Sequence, residues 1–267
     1  MFLTKKGFWK TVVIALCYVV SGSFCMAAGA ILATWDANVK LLFALGAFCY
    51  IFCPIIIVCG LYTEGKGRLI NSGNKLVRNE LRPSEFIKEY LRQRNSTELI
   101  VNKPSIEVLQ LVAIAYDSLN DRENCLATVE ELVAVASEKK KMLAKLIKCS
   151  ILYSYDMTDE AEAIFSDVRA TKQNFICQAL TDVILKSDRA KAMGDYSTIE
   201  AYNLKRLTQK FPKLDNLAKL IYHFNLGEIY EKTQNNEKAI PYYQYCVDHG
   251  GETAIKECAR AALERLK

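Results

Sequence analysis

Two kinds of apolar pattern share this chain. Residues 11–34 run without a single charge, and residues 41–62 do the same. At about 1.5 Å of rise per residue, each is long enough to cross a hydrocarbon layer of roughly 30 Å. Beyond residue 104 the pattern changes. Apolar residues there recur at intervals of three and four between short turn signals, and no alternating strand pattern competes. The periodicity predicts four helix pairs: Ser105–Leu119 with Arg122–Ser137, Lys141–Tyr155 with Thr158–Ala170, Asn174–Met193 with Tyr196–Lys210, and Asp215–Thr233 with Glu237–Asp248. A last helix, Glu252–Leu266, carries Ile255, Cys258, Ala259, Ala262, Leu263 and Leu266 on one face and suits a cap with one wet side.

The expected fold is therefore all-α: a two-helix transmembrane hairpin followed by an α-α solenoid with a C-terminal capping helix. Three segments result, with the hairpin in 1–63, a basic juxtamembrane linker with a short helix in 64–103, and the helical repeats in 104–267. The connector WDANVK (residues 35–40) is too short to hold a domain, so both chain ends should lie on one side. Lys5, Lys6 and Lys10 precede the first stretch and Lys66, Arg68, Lys75 and Arg78 follow the second, against Lys40 alone in the connector, which makes both ends cytoplasmic and the location a cell membrane. A cleaved secretory signal is the alternative for the first stretch, but the apolar run is too long and a second follows directly after the short connector. Pro54 should kink the second stretch. Ser21, Cys25, Gly29 and Ala33 line one face of the first with small residues, a face suited to packing on the second or to dimerisation.

Within the linker, GKGRLINSGNK (residues 65–75) should bend easily. RPSEFIKEYLRQRN (residues 82–95) reads as a short helix with Phe86, Ile87, Tyr90 and Leu91 in a stripe. That stripe either lies on the membrane or packs on the repeat domain. Charge is divided in the same way. Residues 1–103 hold 13 Lys and Arg against 6 Asp and Glu, and residues 104–267 hold 22 against 24. Anionic lipid headgroups near residues 66–94 are the expected counterpart of the first excess. Nucleic acid is excluded as a partner because the distal part carries no basic stripe.

Of ten cysteines, five lie in the apolar stretches and Cys125, Cys149, Cys177, Cys246 and Cys258 are scattered without paired spacing, which fits a reducing compartment. No constellation for chemistry emerges. His223 and His249 are distant from each other in sequence and lack metal-ligand neighbours, no glycine-rich loop follows a strand, and the acidic pairs sit at helix starts or on wet faces. The expectation is no enzyme, no metal and no cofactor. Neither apolar stretch carries a charge or histidine, which argues against transport by this chain alone. The run EKKKMLAK (residues 138–145) reads as a solvated helix junction.

Leu226, Gly227, Tyr230, Ala239 and Tyr243 fall at the spacing of a tetratricopeptide repeat, with Cys246 at the next small position. Weaker copies stand at Ala113, Tyr116, Cys125 and Val129 and at Ala161 and Phe165. In the third pair Ile199 and Asn203 occupy the small and aromatic places. The small positions 125, 161, 199 and 239 recur at widening intervals, each longer than the usual repeat of about 34. The resemblance implies a stack whose concave side is lined by the first helix of each pair and holds a peptide or helix of a protein partner. It points Phe224, Asn225, Glu228 and Glu231 toward that groove. The reading that follows is a membrane-anchored interaction scaffold for assembly of a membrane or envelope complex. An accessory subunit of a transport or secretion machine, in which the hairpin does the specific work, is the alternative.

Overall fold

The computed structural model describes residues 13, 16–26, 48, 67–95 and 104–266, in two compact units. The first comprises residues 1–69 and 96–101, and its residues 16–26 are helical. Half of the first apolar stretch and all of the second but residue 48, and the hairpin with them, lie outside the described residues. Among the described residues no helix is long and apolar enough to cross a membrane.

The second unit, Ile70–Asn95 with Asn102–Lys267, is all helical among its described residues. Residues 70–79 are helical, with Asn74–Asn79 wound as a π-helix. There follow α1 (Pro83–Asn95), α2 (Ile106–Ser118), α3 (Arg122–Val135), α4 (Glu138–Ser154), α5 (Thr158–Arg169), α6 (Phe175–Lys186), α7 (Asp188–Ala192), α8 (Tyr196–Thr208), α9 (Asn216–Lys232), α10 (Asn236–His249) and α11 (Ala254–Leu266). The starts are set by local chemistry. Ser105, Asp121, Asn174, Asp195 and Asp215 each accept a hydrogen bond from a backbone N–H of the first turn they precede.

The turn inside each pair repeats one device. Asn120, Asp156, Gly194 and Gln234 all take a left-handed conformation, with φ between 57° and 70°. Leu81 does the same at φ 56°, between residues 70–79 and α1. Those two helices are thus a further pair ahead of the four expected, where the sequence suggested a bending linker. In the expected pairs, the positions five residues after the left-handed residue and twelve before that point mark where the paired helices cross. In pair one the Cys125 thiol donates to the Ala113 carbonyl at 3.4 Å, and in pair two the Cys149 thiol donates to the Ala161 carbonyl at 3.4 Å. In pair four Gly227 meets the ring of Tyr243. Small residues at these points let the helix axes approach.

Pair three departs from this rule. Ile199 stands at the small position and is buried beside Ala190, Ile229 and Tyr196. Twelve residues earlier is Ser187, where the expected continuous helix 174–193 breaks into α6 and α7. The break thus falls at the position that the spacing of the other pairs sets opposite Ile199. α6 packs Cys177 and Ile184 into the core of pair two while Phe175 and Ile176 remain exposed.

The stripe of α1 is settled by burial. Phe86, Ile87 and Tyr90 are buried within this unit, so they are not available to lie on a membrane; Leu91 is exposed. A Cβ on Gly73 would come within 2.8 Å of Leu111 and 3.0 Å of Phe86, so the leading pair sits tightly on α2. The same pair reaches the other end of the array. Arg78 pairs with Asp215 at 3.1 Å, Asn216 donates to the Asn79 carbonyl at 2.7 Å, the Glu252 N–H donates to the Leu81 carbonyl at 2.9 Å, and Ser84 bonds Glu252. Segment 70–84 therefore joins the first repeat to the last.

Candidate functional site

The first helices of successive pairs are α2, α4, α6 with α7, α9 and α11, and polar rungs run between them. Glu107 pairs with Lys140 at 2.5 Å, Ser154 donates to Asp117 at 3.4 Å, and Ser150 donates to Asp188 at 2.5 Å. Lys191 then pairs with Glu228 at 2.5 Å and Arg265 with Glu231 at 3.0 Å. The partners are 33 to 38 residues apart, one repeat each time. The rungs put the same face of each first helix next to its counterpart, which makes a continuous surface along the unit.

Half-exposed ion pairs of this kind contribute no more than about 1 kcal/mol each, so the rungs orient the face more than they hold it together. Its middle is electrostatically unusual. Burial raises the carboxyl pKa of Asp117, and it pushes Asp188 up to about 6 despite hydrogen bonds from Ser150 and Ser187 and the nearby Lys191. At the far end the balance reverses. Burial works to raise Glu231, but hydrogen bonds from Tyr243 and Arg265 outweigh it and hold the carboxylate below its usual range.

The four residues expected in the groove divide. Asn225 and Glu228 come together in a recess lined also by Lys191, Tyr196, Ile199 and Lys232. Phe224 instead packs edge-on against Tyr243, with centroids 5.8 Å apart, and Glu231 accepts hydrogen bonds from Tyr243 and Arg265. Those two tie α9 to α10 and α11. Asn225 is buried, leaving Glu228 and Glu231, each one end of a rung, as the members presented on the rung face. Lys140, Asp117, Asp188 and Lys191 belong to the same face and escaped sequence reading, because only the stacking of repeats brings them beside one another. The one-repeat spacing of opposite charges was the available signal.

The recess holds about 220 Å³ of empty space, below the range of small-molecule pockets. Among the described residues no three His, Cys, Asp or Glu side chains group to hold a metal ion. Cys125, Cys149 and Cys246 are buried hydrophobes: desolvation pushes each up to about 12, where a thiolate is not populated at neutral pH. The tyrosine cluster also sorts itself. Tyr243 is core, whereas Tyr245 lies stacked between His223 and His249 at centroid distances of 3.7 and 4.3 Å. Burial, His249 and Lys219 lower His223 to about 4, so this stack holds a neutral imidazole at physiological pH.

Residues 221–248 match the tetratricopeptide repeat family. The match covers α9 from its second turn and nearly all of α10, the pair in which Gly227 lies against the Tyr243 ring. No curated protein and no solved structure matches the chain. A repeat of this family points to an interaction scaffold for other proteins.

Proposed function

We propose that this chain is a membrane-held scaffold whose rung face binds an extended segment or helix of another protein, in the assembly of a membrane or envelope complex. The observation that carries the reading is the ladder from Glu107 to Arg265, a continuous face repeated along a domain that includes a tetratricopeptide repeat. The two uncharged stretches, 11–34 and 41–62, with cations on their outer flanks, support a tether with both ends in the cytoplasm. A tether confines the face to a thin layer and raises its effective concentration toward other membrane proteins without any new contact.

Proximity labelling of the full chain tests this, beside a variant with Lys140, Lys191 and Glu228 replaced by Ala. These side chains are partly exposed, so the variant keeps its fold. The expected result is loss of a small set of neighbours; an unchanged set would refute the rung face as the binding surface. Extraction of the chain by alkaline carbonate would separately refute the tether.

A further inference from the structure

Residues 205–219, where α8 turns into α9, carry Lys205, Arg206, Lys210, Lys213 and Lys219 against a single acid, Asp215. That acid is spent, since it caps α9 at the Ala218 N–H and pairs with Arg78. Among the described residues none of the five cations forms an ion pair, and Arg206 hydrogen-bonds the neutral side chains of Tyr222 and Gln209. The contrast with the conspicuous run at 138–148 is sharp, because there Lys140, Lys141, Lys145 and Lys148 are each neutralised by a carboxylate. Averaging over the domain concealed the corner. Residues 104–267 carry 22 cations and 24 acids, and removing this stretch leaves 17 against 23. At the tip, between Lys210 and Lys213, Phe211 is 85% exposed.

We propose that this corner docks on an anionic membrane surface, with Phe211 entering the headgroup region and the lysines meeting lipid phosphate and carboxylate groups. An uncovered aromatic ring flanked in sequence by unpaired cations is the chemistry that partitions to such an interface, the ring at the acyl boundary and the ammonium groups in the headgroups. Position supports the choice of a bilayer over an acidic protein. Asp215 and Asn216 are bonded to Arg78 and Asn79, and only the short segment 63–78 separates Asn79 from Tyr62, the end of the second apolar stretch. The corner is therefore fixed to the part of its unit next in sequence to the proposed tether. The inference rests on the membrane-held reading and adds a second point of contact to it.

The full chain, with Trp9 and Trp35 changed to Phe and Phe211→Trp as reporter, would be reconstituted into phosphatidylcholine nanodiscs with and without phosphatidylserine. With the anionic lipid, the reporter should shift to the blue and be quenched by brominated acyl chains, and amides 205–219 should gain protection from exchange. High salt should reverse both effects. Each lysine is worth about fivefold in partition, so Lys213→Gln should weaken the signal about that much and the Lys205, Lys210, Lys213 and Lys219→Gln variant by a hundredfold or more. Equal behaviour in both disc types, or protection that appears only when an acidic protein is added, would overturn the proposal. If the chain does not integrate, the tether reading fails by itself. The corner is then tested by sedimentation of the same chain with phosphatidylserine vesicles, where equal binding of parent and quadruple variant overturns it.

Discussion

Gly227→Ala isolates the crossing on which the repeat depends. Glycine sits here in an ordinary helical conformation, so the change relieves no backbone strain and should gain about 1 kcal/mol of helix propensity. Opposing it is space. The added Cβ would lie 2.7, 2.8 and 3.1 Å from Cε1, Cδ1 and Cγ of Tyr243, where carbon contacts are favourable only near about 3.5–4.0 Å. The ring cannot turn aside, because Tyr243 is buried and its hydroxyl donates to Glu231 at 2.6 Å, itself held by Arg265 at 3.0 Å. Overpacking of a fixed core costs about 1–3 kcal/mol. The net expectation is a loss of about 1 kcal/mol, which lowers Tm by roughly 2–4 °C for a unit of this size. Thermal unfolding of the full chain, followed by circular dichroism, reads the effect. In a Tyr243→Leu background the clash is absent, so the same substitution should be neutral or stabilising there. A Gly227→Ala variant that melts at or above the parent, or that loses the same amount in both backgrounds, would refute the reasoning.

Asn203 stands where neighbouring repeats place an aromatic ring. It is fully buried, and neither amide atom has a hydrogen-bond partner in the protein. Asn203→Leu, of similar volume, should raise stability by about 1–3 kcal/mol in denaturant titration; a lower midpoint would show that the amide is satisfied. Asp188, raised to about 6 by burial, retains a proton in the folded state that the unfolded chain has lost above about pH 4. The stability tied to that proton is complete below pH 4 and gone above pH 6, so Asp188→Asn should flatten the pH profile across this window and exceed the parent by about 3 kcal/mol at pH 7. An unchanged profile would mean another group titrates. Arg78→Glu sets two acids against each other at Asp215 and should speed amide exchange at 216–220 and 250–253 together; acceleration at one site alone would show that segment 70–84 does not couple the two.

The helices themselves were legible. Their periodicity and their caps at Ser105, Asp121, Asn174, Asp195 and Asp215 are decided within a turn or two of chain, and predicted and observed boundaries differ by at most three residues in pairs one, two and four. Sequence inspection also places Ala113, Cys125, Ala161, Gly227 and Ala239 at crossings. It overlooks Cys149, which stands twelve residues before Ala161 as Ala113 does before Cys125. The leading pair was hidden for a physical reason. Its crossing position holds the bulky Phe86, the small residue facing it is Gly73, and the π-helical turn at Asn74–Asn79 inserts a residue that moves the pair out of register.

The site divides along the same line. Of the four expected groove residues, Glu228 and Glu231 lie on the rung face, Glu231 also taking the Tyr243 hydroxyl, while Phe224 is consumed by the docking of α10, which a single-helix projection does not contain. The unpaired state of Lys205, Lys210 and Lys213 and the pairing of Lys140, Lys145 and Lys148 depend on which carboxylates other helices bring near. What the sequence alone determined is what local energies decide: helix against strand, where each helix starts, which residues are small enough to sit at a crossing. What the tertiary structure decided is which charges remain free, that helix 174–193 breaks at Ser187, and that segment 70–84 joins the first repeat to the last. Those outcomes are contacts between residues 12 or more positions apart, and as many as 168 between Ser84 and Glu252, and a pattern read along the chain carries no information about which distant side chains will share one space.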